Sequence, residues 1–168
     1  MKPHFITLFS IIAIGLFTVS CSPEEDLSTI ATVQPELAEK PANLSNLELE
    51  ILDLVNQHRS DKGLSKLEQL NIISNVADTH TSYMIENDQV SHDNFNQRVA
   101  LLTSNAAAKN VGENVAYGFN SAQGVVTGWL NSEAHRNIIE NPDYSHFGIA
   151  IEKNISGRNY FTQIFIER

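Results

Sequence analysis

Apolar residues from position 46 onward recur at helical spacing. Ile51, Leu54, Val55 and His58 form one row, Ser45 with Glu48 makes a capping box, and Gly63 supplies a stop, so a helix is predicted over about 46–61. Ile72, Val76, His80 and Met84 form a second row, with Ile73 and Ala77 beside it, which predicts a helix over about 71–87. Shorter helices are expected at 95–104, 121–131 and 133–140, the last stopped by Asn141-Pro142. The period then changes. Phe147, Ile149 and Ile151 alternate, 154–157 reads as a turn, and Tyr160 to Ile166 alternates again, giving an antiparallel hairpin. In its second strand Tyr160, Ile164 and Ile166 lie on one side and Phe161 and Phe165 on the other. A strand apolar on both faces must be covered on both, so the expected fold is α+β, a three-layer α/β/α sandwich with a central antiparallel sheet.

The first 46 residues follow a different pattern. Residues 1–20 carry Lys2, no acid and an apolar stretch from Phe5 to Val19, too short to span about 30 Å of hydrocarbon; they read as a secretory signal peptide. Cys21 follows Thr18-Val19-Ser20 and resembles the cleavage box of a bacterial lipoprotein, in which the cysteine is lipidated and tethers the chain to a membrane. Residues 22–46, with three prolines, five acids and no glycine or aromatic, read as a solvated acidic linker. Acids soon after Cys21 resemble the export signal that sends some Gram-negative lipoproteins to the cell surface, so the outer membrane or cell surface of a bacterial envelope is expected over the inner membrane. The working domain is then 47–168.

Composition narrows the function. The 168-residue chain has a net charge of −9, and its 11 basic residues form no cluster, which excludes a nucleic-acid partner. A single cysteine excludes a disulfide framework and any zinc site of several thiolates. Nucleophilic catalysis has no Gly-x-Ser-x-Gly elbow to support it, and no His-Glu-x-x-His places two ligands on one helical face.

Candidate chemistry falls in Ser91-His92, in Gly112-Glu113-Asn114 and around His135. With Asn56-x-x-Arg59, "ADTHTSYM" at 77–84, "GENVAYG" at 112–118, "WLNSEAHRNII" at 129–139 and "YSHFGIAI" at 144–151, these patches resemble, in order and spacing, the CAP or SCP-like superfamily, particularly its short bacterial branch. The resemblance implies an α/β/α sandwich whose central cleft carries two histidines and two acids, the histidines holding a divalent metal such as zinc in many members. It matches His92 and His135 to the histidines, as candidate metal ligands, and Glu113 to the first glutamate. Ser132 stands where longer members carry the second glutamate, which leaves Glu133 as candidate for the fourth cleft position.

Helix geometry bears on these assignments independently. Ser132 is a suitable N-cap for a helix from 133, and the helix dipole there disfavours protonation of His135. Glu133, two residues earlier, points about 200° away from His135 and has a full explanation as a dipole-stabilising acid. His80, on an apolar row, reads as a core histidine that backs the cleft, and Trp129 as core. Taken with the signal segment, the resemblance implies an exported, lipid-anchored, monomeric envelope protein, a non-enzymatic module binding a divalent metal and a lipid, sterol-like or glycan ligand. No catalytic residue is assigned. The alternative is a metal-dependent hydrolase of peptide or envelope polymer, with Glu113 as its base.

Overall fold

A computed structural model describes residues 40–168; the signal segment, Cys21 and residues 22–39 of the linker lie outside them. The capping box at Ser45 forms. The backbone N–H of Glu48 donates to Ser45 Oγ at 3.4 Å and that of Ser45 to Glu48 Oε2 at 2.7 Å, opening helix α1 (Asn46–Asp61). The chain continues through β1 (Glu68–Gln69), α2 (Asn71–Glu86), α3 (Phe95–Ala106), β2 (Asn110–Tyr117), α4 (Ala122–Asn131), α5 (Glu133–Ile139), β3 (His146–Lys153) and β4 (Asn159–Glu167).

The sheet order is β1-β3-β4-β2, with β2, β4 and β3 antiparallel. β1 pairs with β3 in parallel over two residues, so the sheet is antiparallel except at that edge. Neither β1 nor β2 was legible as a strand: β1 is two residues long, and Gly112, Glu113 and Asn114 have low strand propensity and interrupt the apolar alternation.

Both faces of β4 are covered. Ile164 and Ile166 pack with Ile73, Val76 and Leu102 under α2 and α3. Phe161 and Phe165 pack with Val55, Val125, Trp129 and Ile139 under α1, α4 and α5. Trp129 is core, and its Nε1–H donates to the Val115 carbonyl at 3.1 Å, seating α4 on β2. Arg59 is fully buried among carbonyls: Nε donates to Ser65 O, Nη1 to Ile139 O and Asn141 O, and Nη2 to Tyr144 O. One guanidinium thereby ties α1 to the end of α5 and to the approach to β3.

Candidate functional site

β2 is an edge strand, and alternation sends its consecutive side chains to opposite layers. Glu113 turns toward α2 and α3, whereas Gly112 and Asn114 turn toward α5 and the Tyr144 ring.

Glu113 is almost wholly buried and held from two directions. Arg98 of α3 grips it bidentately, Nε to Oε2 and Nη2 to Oε1, both at 2.7 Å. His92, in the loop before α3, donates from Nδ1 to Oε1 at 2.8 Å. Burial pushes the Glu113 carboxyl up, but the hydrogen bonds from His92 and Arg98, with the Arg98 charge, outweigh it and hold the group below the ordinary carboxylate range. Glu113 is therefore an anion at neutral pH. Arg98 also donates from Nη1 to the Asp93 carbonyl at 2.7 Å, tying the loop that carries His92 to α3.

His80 backs this group. Its ring is buried, 3.9 Å from Glu113, and Nε2 lies 2.8 Å from the carbonyl of Ser91. Burial lowers its pKa, so it stays a neutral imidazole donating from Nε2 to Ser91 and steadying the residue next to His92. The His92 side chain itself is 51% exposed, with Nδ1 spent on Glu113 and Nε2 as the nitrogen left for a ligand.

His135 approaches from the other layer, on α5. Burial first, and the nearby His92 charge second, lower its pKa. That is the direction expected from sequence; Ser132 occupies the N-cap of α5, although its side chain makes no capping hydrogen bond. Glu133 is exposed in the first turn of α5. His146 lies toward the opposite edge, its Nε2 3.7 Å from Glu68 of β1.

A cavity of about 280 Å³ opens beside the Glu113–His92 pair, walled by Phe95, Val111, Ile138 and Tyr144. His135 is outside its lining. A larger hollow of about 330 Å³ runs along the free edge of β3 beside residues 40–45, but it contains no histidine and none of the converging groups described above. Among the described residues no three His, Cys, Asp or Glu side chains converge as a metal cage.

Sequence reasoning missed Arg98. Its signal was available: with Leu101 and Leu102 it lies on the inward stripe of α3, where a cation needs buried acceptors. Nothing in the spacing identified Glu113, 15 residues on, as the acceptor.

A family model described as the cysteine-rich secretory protein family (CAP) matches residues 52–165. The chain is 38% identical over 124 residues to the uncharacterized membrane protein YlbC of Bacillus subtilis, covering 72% of this chain but 34% of that relative, and so spans about a third of its length. In solved structures it resembles an outer surface protein of Borrelia burgdorferi, with a TM-score of 0.64 at 24% identity, covering 70% of this chain and 90% of that one. An extracellular SCP-domain protein of Bacillus anthracis also gives a TM-score of 0.64 at 24% identity, covering 82% and 49%. These structural likenesses establish the shared fold.

Proposed function

The chain belongs to the cysteine-rich secretory protein (CAP) family, and on that premise we propose that it is an exported module of the bacterial envelope, anchored through Cys21, whose cleft binds rather than transforms its ligand. His92 and His135 would hold a divalent metal such as zinc, and the neighbouring cavity would take the apolar part of a small lipid-like or glycan-linked ligand. The location draws support from relatives whose names place them in a membrane, on an outer surface or outside the cell.

The observation that carries the binding reading is the state of Glu113. A general base needs a carboxylate free to take a proton; this one accepts a bidentate guanidinium and an imidazole N–H, with its pKa held down. What it does well is orient: a carboxylate on Nδ1 fixes the His92 tautomer so that Nε2 faces a metal. On this reading His92 Nε2 and the His135 ring would hold the metal, with its remaining positions left to water or ligand. Such a metal would supply a Lewis-acidic grip on an oxygen or nitrogen of the ligand.

Zinc titration of the wild type, His92→Ala, His135→Ala and the double variant tests the site. Each single variant should weaken binding and the double variant abolish it; equal affinity in all four overturns the metal reading. Incubation of the metal-loaded protein with peptide and peptidoglycan libraries tests the rest. Turnover abolished by Glu113→Gln would replace binding with hydrolysis. Loss of membrane association in Cys21→Ser is expected if the chain is tethered there.

A further inference from the structure

The two halves of the cleft belong to different layers of the sandwich, and β2 is the element between them. Glu113 reaches His92 on one face; the next residue, Asn114, is fully buried on the other, and its Nδ2 donates to the backbone carbonyl of His135 at 3.3 Å. Two consecutive residues of one strand thus hold the segments that carry the two histidines.

The helix bearing His135 depends on such outside support. α5 has seven residues, too few to be stable by itself, and it begins at a sharp corner, Ser132, that gives no side-chain cap. Its far end is fixed by Arg59, which donates to Ile139 O, and its corner is braced by Arg136 Nη1 donating to Leu130 O at 2.8 Å. Within the helix body, Asn114 supplies the hydrogen bond from the sheet. Beside Asn114 in register on β4 stands Gln163, also fully buried, and three polar atoms of this pair, Asn114 Oδ1, Gln163 Nε2 and Gln163 Oε1, have no protein partner. Buried amides so poorly satisfied are a liability for stability, which an apolar pair would avoid. Their chemistry makes sense where β2 grips the backbone of His135.

We infer that Asn114 is a positioning residue of the cleft: its side-chain amide, packed beside Gln163, sets where α5 holds His135 relative to the Glu113–His92 pair. Only the metal arm of the test below rests on the zinc reading. The variants Asn114→Ala and Asn114→Leu remove the donor, the second keeping a branched side chain in its place. Val55→Ala, in the core under α1, leaves the Asn114 donor in place and supplies a matched loss of stability. In metal-free protein at fixed pH, the ring ¹H and ¹⁵N resonances of His135 should move in both Asn114 variants, while those of His92 and the Val55→Ala spectrum at His135 stay near wild type. Zinc affinity should fall about tenfold, as for other residues that orient a metal ligand.

His135 resonances unchanged in folded Asn114 variants, or moved equally by Val55→Ala, overturn the inference. Should neither Asn114 variant fold, the wild type decides. Its Asn114 side-chain amide protons should show nuclear Overhauser contacts to α5 and slow exchange with solvent, and their absence overturns it. A wild type that binds no zinc defeats the metal reading alone, because the ring resonances still judge Asn114.

Discussion

Arg98 and Glu113 form a buried bidentate ion pair, both contacts at 2.7 Å, with side-chain exposures of 6% and 1%. A pair this dry is held together by the cost of breaking it. Arg98→Met strands the carboxylate and should destabilise the protein by about 3–5 kcal/mol. Its Glu113 pKa should rise, since the Arg98 hydrogen bonds and charge that oppose desolvation are gone. Adding Glu113→Gln to Arg98→Met should recover much of the loss, because the uncompensated charge is gone. Urea unfolding of the two single variants and the double measures this; strict additivity of the two losses contradicts it.

Acid should destabilise the fold in two stages. His80 and His135 have folded pKa values below the ordinary 6.5, so folding favours their neutral forms. Their contribution is complete above 6.5 and is lost as pH falls through that value toward their folded pKa values. Glu113, below the ordinary 4.5, contributes fully above 4.5 and loses its share as pH falls toward its folded pKa. Glu152 runs the other way, since burial raises its pKa and its share is lost as pH rises through the folded value. Urea midpoints should therefore drop from about pH 6.5 downward and again below 4.5. His135→Ala should flatten the first stage and Glu113→Gln the second; an unaltered profile in either variant contradicts its assignment.

What could be read in advance follows from how local each signal was. The Ser45–Glu48 capping box lies within four residues, and α1 begins where it predicts. The two-sided strand β4 demanded cover on both faces, which is the sandwich. Strand β2 was hidden because its buried residues include Glu113 and Asn114, whose polarity reads as loop until Arg98 and the α5 carbonyl are known to meet them. Likewise a lowered pKa of His135 was expected from the helix dipole, whereas its partial burial, which pushes the pKa the same way, is a property of packing that one helix cannot disclose.

Arg59 is a buried cation held by backbone alone; four carbonyls stand where a carboxylate partner would otherwise be needed. Burial lowers its pKa, but the planar fork stays charged and reaches all four at once. Arg59→Lys keeps the charge and loses the fork, so it should recover little of the loss seen in Arg59→Met. We expect about 3 kcal/mol or more for Arg59→Met, since several carbonyls lose their donor together. Because Ile139 O is among them, protection of α5 amides from hydrogen exchange should fall before that of β4. Equal stability of Arg59→Lys and wild type would show that charge alone suffices.

The distance between the α2 layer and the sheet is set at Gly148. A Cβ there would lie 2.4 Å from the backbone nitrogen of Ser74 and 2.7 Å from the carbonyl carbon of Ile73, atoms of α2 that cannot turn aside. Gly148→Ala must push helix and strand apart, and should cost about 3 kcal/mol or more, at or above the usual range for overpacking. Gly63 offers the contrast: its φ of +74° strains any side chain, but a Cβ meets open space, so Gly63→Ala should cost only about 1–2 kcal/mol. The displacement also reaches the cleft, because α2 carries His80, whose ring steadies Ser91 and backs Glu113. In Gly148→Ala the His80 and His92 ring resonances should both move, whereas in Gly63→Ala they should remain in place. A Gly148→Ala protein as stable as Gly63→Ala, with unmoved histidine signals, would mean that the layer spacing is set elsewhere.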